Sequence, residues 1–230
     1  RGAIETLREY GRGVSDAEFY ERERAVGGDD LATIVYTSGS TGVPKGIELT
    51  HGSFVFITYS GVQSMPDIAM KPNRRLLLFL PLAHVFARYM QFFCFAGNVT
   101  LGLSSNLKTI LADFSAFKPT FILAVPRIFE KIYNAASQKA GRGLKGRIFA
   151  DAAVVAREWS KAQQSGDGIP AALNIKHAVY NKLVYSTIME VFGGSVEYAV
   201  SGGAPLDVSI AHFFNGVGLP LLEGYGMTET

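Results

Sequence analysis

With 230 residues and 48% hydrophobic content, the chain can bury a substantial core, and its length fits one or two domains. A net charge of +2, without a long block of lysine and arginine, argues against a nucleic-acid partner. The single cysteine, Cys94, excludes an intrachain disulfide and fits a reducing, cytoplasmic setting.

The opening residues Arg1-Gly2-Ala3-Ile4-Glu5 have neither the apolar core of a secretory leader nor an initiator methionine, and residues 1–30 read as a charged peripheral segment. A first strand is expected over 31–36, where β-branched and apolar residues cluster. The run Tyr36-Thr37-Ser38-Gly39-Ser40-Thr41-Gly42-Val43-Pro44-Lys45-Gly46 follows it and reads as a loop leading to a helix that begins after Thr50, an N-cap candidate. Its glycines let backbone N–H groups approach a ligand, its hydroxyls add short donors, and Lys45 supplies a positive charge. That set suits a polyphosphate. It is not a Walker loop, because Lys45 stands between Pro44 and Gly46 rather than before a serine or threonine.

Further along, a strand is expected over 76–80 and a helix over 88–96. The apolar stretch 76–97 approaches the length of a bilayer span, but Pro81, His84, Arg88 and Gln91 interrupt it, so it reads as buried strand, loop and helix. A strand over 99–103 precedes a helix over 107–117 behind a Ser-Asn cap. A strand over 120–125 then leads to a helix opening at Pro126, with Ile128, Phe129 and Ile132 on one side. The basic stretch 139–147 carries four cations among three glycines and reads as a solvated loop, with peripheral contact to a membrane surface as the alternative. Residues 149–164 form an amphipathic pattern in which Val155, Trp159 and Ala162 share the core face. Ser165 to Pro170 form a turn, 174–192 a helix ended by Gly193-Gly194, and strands follow over 196–200 and 219–222. Strands alternating with helices predict an α/β fold with mainly parallel sheets flanked by helices.

In such sheets ligands gather at the carboxyl ends of strands. Three loops there carry chemistry. The first is Leu80-Pro81-Leu82-Ala83-His84-Val85-Phe86. The second is Ser201-Gly202-Gly203-Ala204-Pro205-Leu206, whose paired glycines let a flat group approach the backbone. The third is Glu223-Gly224-Tyr225-Gly226-Met227-Thr228-Glu229-Thr230, with a ring between glycines and Glu229 as a hard oxygen ligand suited to magnesium. His51, His177 and His212 have no metal-ligand spacing with one another or with Cys94, so no zinc site is expected.

Tyr36 to His51, with the Ser201 and Glu223 loops, resembles the adenylate-forming superfamily of acyl-CoA synthetases, adenylation domains and luciferases. The stretch Pro81 to Arg88, and Val125-Pro126-Arg127-Ile128-Phe129, look most like its long-chain fatty acid–CoA ligases. The resemblance implies ATP-dependent activation of a fatty acid through an acyl-adenylate, with Mg²⁺ and coenzyme A as further participants. It implies that Thr37, Ser38, Gly39, Ser40, Thr41, Gly42 and Lys45 hold phosphates. Ser201, Gly202, Gly203, Ala204 and Pro205, with Glu223, Gly224, Tyr225, Gly226 and Met227, would form the adenine site. Thr228 would meet the α-phosphate, Glu229 with Thr37 the metal, and His84 the acyl carboxylate. Amino-acid-activating relatives carry Phe-Asp where this chain has its histidine loop, so an acid without an amine is expected. A carrier protein as acyl acceptor and a non-catalytic nucleotide-binding module stay open, as does oligomeric state. The resemblance makes residues 31–230 part of the large domain of such an enzyme, truncated at both ends and without the small lid domain, and implies that the piece alone lacks complete ligase activity.

Overall fold

The computed structural model describes residues 2–38 and 42–229, which fall into two units, Arg1–Ile57 and Thr58–Thr230. In the first unit, helices α1 (Ala3–Gly11) and α2 (Asp16–Arg24) bury no residue. Both lie in the segment read as merely charged. Ser15 caps α2 by accepting the Glu18 N–H, and the Ser-x-x-Glu spacing is the signal that marks this start. Strand β1 (Leu31–Thr37) then pairs antiparallel with β2 (Lys45–Thr50), bringing Tyr36 opposite Gly46 and Thr37 opposite Lys45. The loop therefore joins two strands of a hairpin and does not run from strand to helix as expected. Ile47 and Leu49 are half-buried while Glu48 is exposed, the alternation that a half-buried strand requires.

Helix α3 (His51–Ser64) begins in this unit, its start fixed by Thr50 Oγ1 accepting the Ser53 N–H and by Gly52 N–H donating to Gly28 O. In the second unit, a short α4 (Pro66–Ala69) precedes β3 (Arg74–Leu78), α5 (Val85–Ala96), β4 (Val99–Leu103), α6 (Ile110–Phe117), β5 (Phe121–Ala124), α7 (Pro126–Ala140) and α8 (Leu144–Ser165). Then come α9 (Ala171–Tyr180), a π turn (Asn181–Tyr185), α10 (Ser186–Val191), β6 (Tyr198–Gly202), α11 (Val208–Val217) and β7 (Leu221–Gly224). The five strands β3 to β7 make one parallel sheet in the order β4-β3-β5-β6-β7.

Successive side chains of a strand point to opposite faces, and here both faces are covered. Leu76, Leu78, Phe121 and Leu123 join Met90 and Phe93 of α5 on one side. Leu77, Ile122 and Ala199 join Phe114, Phe129, Phe149 and Phe214 on the other. Each such ring or branched chain withdrawn from water contributes about 2 kcal/mol. No helix among the described residues is long and apolar enough to cross a membrane; the stretch 76–97 divides into β3, the His84 loop and α5.

The basic stretch 139–147 is mostly helical, correcting the expected loop: α7 ends at Ala140 and α8 starts at Leu144, leaving only the turn between. Trp159 is half-buried and stacks on His177 at 4.3 Å, and its indole N–H donates to Asn174. The helix expected over 174–192 carries the π turn. The extra residue per turn lets Tyr185 enter the core and donate to Ala152 O at 2.7 Å. Arg74, 4% exposed, pairs with Glu197 at 2.8 Å, and this hydrogen bond holds the Glu197 carboxyl below its ordinary range.

α11 crosses α8 so closely that a Cβ on Gly216 would collide with the Ala156 carbonyl. Gly216→Ala is therefore expected to destabilise the chain by about 3 kcal/mol, read as a lower denaturation midpoint by fluorescence of Trp159, the sole tryptophan. Cys94 lies buried in α5, where burial pushes its thiol up to about 12. Since the thiolate is the reactive form, iodoacetamide at pH 8 should label Cys94 at least about a hundredfold more slowly in the folded than in the urea-unfolded chain.

Candidate functional site

Parallel pairing sends the carboxyl ends of β3 to β7 to one edge of the sheet. The three loops singled out from the sequence all leave that edge: His84 after β3, Gly203 after β6 and Tyr225 after β7.

The β6–β7 ladder places Ser201 beside Glu223 and Gly202 beside Gly224. Gly203 takes a left-handed conformation, φ 82°, and turns the chain out of the sheet. Ala204 and Pro205 are exposed, and Leu206 returns to the core. Its N–H donates to Glu223 Oε1 at 3.0 Å, so the glutamate at the end of β7 ties down the loop after β6. Asp207 caps α11 by accepting the Ile210 N–H, fixing the loop's far end. Ser201 is 1% exposed and its hydroxyl has no hydrogen-bond partner among the described residues, a burial that costs about 1–3 kcal/mol.

After β7 the chain is open to solvent. Tyr225 is 93% exposed, so both faces of its ring are available for stacking. Gly226, Met227 and Glu229 are exposed, and Thr228 is half-buried. Among the described residues no three or more His, Cys, Asp or Glu side chains gather as a metal cage.

The loop after β3 presents His84 exposed at the N-cap position of α5, with its N–H donating to Pro81 O. Arg88, one turn into the helix, donates through Nε to Leu82 O and braces the loop from behind. Phe86 lies against the glycines of the other two loops: a Cβ on Gly202 would stand 2.7 Å from its ring, and one on Gly224 3.8 Å. Sequence alone gives Phe86 no part in the site, although it lies two residues from His84.

In the first unit, Thr37 and Lys45 form the last cross-strand pair before the loop. Ser38, Gly42, Val43, Pro44 and Lys45 are exposed. Gly42 has φ 80°, a conformation that glycine adopts without strain. Gly39, Ser40 and Thr41 lie outside the described residues, as does Thr230. His51 opens α3 at the surface. His212 instead meets the buried Ser160 hydroxyl at 3.0 Å, and His177 Nε2 pairs with the Gly216 carbonyl, so both sit in helix packing.

The family model of AMP-binding enzymes matches residues 3–230. The long-chain-fatty-acid–CoA ligase FadD15 of Mycobacterium bovis is 45% identical over 99% of this chain, which spans 38% of that relative's length. Among solved structures, the adenylation domain of a carboxylate reductase from Mycobacterium chelonae aligns with TM-score 0.60 and 25% identity, covering 87% of this chain and 27% of that one. A didomain of the carboxylic acid reductase from Segniliparus rugosus, in complex with AMP, aligns with TM-score 0.55 and 26% identity over 88% of this chain and 24% of its own.

If Glu223 holds the loop after β6, Glu223→Ala should speed amide hydrogen exchange at Leu206 by about tenfold or more, the protection expected from one charge-assisted hydrogen bond. Glu223→Gln should keep most of the protection. Equal exchange in all three proteins would show that the carboxylate does not hold this amide.

Proposed function

This chain belongs to the AMP-binding enzyme family, and we propose that, within a ligase of its relatives' length, it activates a long-chain fatty acid with ATP. The carboxylate attacks the α-phosphorus in line, the bond to the pyrophosphate leaving group breaks, and an acyl-adenylate remains. The thiolate of coenzyme A then attacks the acyl carbon and AMP departs. The observation that carries this reading is the gathering of the Ser201, Glu223 and His84 loops at one sheet edge, in a chain 45% identical to a long-chain fatty acid–CoA ligase.

The chemistry needs little covalent help from protein; it needs positioning and the neutralisation of phosphate charge. Thr37, Ser38, Gly39, Ser40, Thr41, Gly42 and Lys45 hold the β- and γ-phosphates through hydroxyls, backbone N–H groups and one ammonium. Tyr225, fully available to solvent, stacks on the adenine, while Ser201 to Pro205 and Glu223 to Met227 wall it. Thr228 donates to the α-phosphate. His84 borders the acyl carboxylate, in keeping with its exposed place at the head of α5. The exposed carboxylate of Glu229 would hold Mg²⁺; the hydroxyl of Thr37 is the other candidate oxygen ligand. Such an ion usually takes one or two carboxylates together with phosphate oxygens and water. When bound, the ion would neutralise charge on the phosphates. The single cysteine supports a cytoplasmic setting, and the cationic ends of α7 and α8 are the place for peripheral membrane contact where any occurs.

A second reading is favoured by the likeness to carboxylate reductase adenylation domains: the adenylate could pass to a carrier protein instead of coenzyme A. Supplying the full-length enzyme with palmitate, ATP and either coenzyme A or a phosphopantetheinyl carrier separates the two by which thioester forms.

The enzyme should catalyse ATP–pyrophosphate exchange that depends on palmitate and not on amino acids. Glu229→Ala should reduce that exchange by about a hundredfold or more, the scale of losing one electrostatic stabiliser. Exchange at the wild-type rate would remove the metal role, and exchange driven by amino acids would overturn the substrate class.

A further inference from the structure

We propose that Phe86 is a positioning residue that sets the spacing between the His84 loop and the two glycine loops after β6 and β7. The proposal rests on the reading of those loops as acyl and nucleotide sites. It stands on a contact that joins them.

Phe86 is the second residue of α5, so its backbone moves with His84. Its ring packs partly buried against the cluster of Leu76, Leu78, Met90 and Phe93, which leaves it little room to swing. It reaches the ends of β6 and β7 at Gly202 and Gly224, register partners in the ladder, where no side chain intervenes. At Gly202 the fit is closest: three ring carbons lie 2.7, 3.0 and 3.3 Å from where a Cβ would stand. A methyl group there must push the ring, and the ring must push the head of α5. At Gly224 the same methyl would find ordinary contacts, 3.7 Å to Val200 and 3.8 Å to Phe86. Arg88 holds the loop from its other side through Leu82 O. Ring and guanidinium together fix where His84 stands relative to Tyr225 and Gly203, which by the proposed chemistry is where acyl carboxylate and α-phosphorus must meet.

The contact predicts a pattern that a residue serving only stability would not give. In the full-length enzyme, Phe86→Leu should lower kcat for palmitate-dependent ATP–pyrophosphate exchange by about tenfold, since small misplacements of reacting groups are costly, while KM for ATP changes less than about twofold. Gly202→Ala should cost about as much. Because the smaller side chain makes room for the methyl, the double variant Phe86→Leu/Gly202→Ala should be no worse than Gly202→Ala alone. Independent losses that multiply in the double variant would overturn the proposal, as would a rise in KM for ATP with kcat unchanged. Thermal unfolding followed by far-ultraviolet circular dichroism shows whether each variant folds. If Gly202→Ala does not, Phe86→Leu and Phe86→Tyr still supply the split between kcat and KM. Hydrogen exchange needs no activity: Phe86→Leu should speed exchange at Gly203, His84 and Tyr225, and unchanged exchange would sink the contact's role. Accelerated exchange in a full-length enzyme without palmitate-dependent activity would leave the positioning contact standing and remove the functional reading.

Discussion

Parallel pairing of five strands is the constraint from which the candidate site follows. It obliges every connection to cross back over a face of the sheet, and it delivers every strand's carboxyl end to the same edge. Both faces are sealed by alternate residues, Leu76 and Leu78 on one side and Leu77 on the other. A one-residue slip of any strand would turn these inside out and carry Glu223 away from Ser201. The register of the functional loops is thus held by apolar burial far from the loops themselves. That is why short, exposed, glycine-rich segments can keep a defined arrangement without a core of their own.

The strands were legible because burial on both faces demands continuous apolar runs, and β4 begins and ends where the pattern places it. β6 and β7 each begin and end two residues later than the apolar pattern. Ser201, Gly202, Glu223 and Gly224 read as turn residues, yet a ladder is made of backbone groups and accepts them. The same error hid β2: Lys45 and Gly46 belong to the hydroxyl-rich motif by composition and to a strand by pairing, and only the alternation of Ile47 with Leu49 hinted at it. α1 and α2 bury nothing, so periodicity had little to report. The π turn cannot be foreseen from a 3.6-residue pattern, since it is the tertiary demand to seat Tyr185 that inserts the extra residue.

The residue types of the candidate site are visible in the sequence, but the contacts among them are not. Hydroxyls, glycines, a tyrosine and carboxylates announce themselves by type and spacing. What no spacing discloses is which backbone group a side chain serves. Glu223 reads as a wall of the ligand site, and the structure has one of its oxygens engaged by the Leu206 amide. Phe86 has no role legible in the sequence, and its ring rests on glycines more than a hundred residues away. Such contacts between distant segments exist only after the sheet has formed, and under the proposed function they would divide the residues of the edge into those that meet a ligand and those that aim the others.

That division bears on how the edge can bind. Tyr225, His84 and Glu229 stand in solvent, so in the proposed site a ligand would meet them without first displacing protein side chains, and stacking a base on one exposed ring would contribute about 1–3 kcal/mol. Exposure also leaves these groups free to move, and ordering them on binding costs about 0.5–1.5 kcal/mol for each rotamer-rich side chain. The backbone beneath them is another matter: Gly202 and Gly224 are locked in the ladder, Leu206 is held by Glu223, and the head of α5 is held by Phe86 and Arg88. Ordering is then confined to side chains on a frame already in place. For the proposed reaction, whose main requirement is that two groups be brought into line, a rigid frame beneath mobile contacts is the economical arrangement.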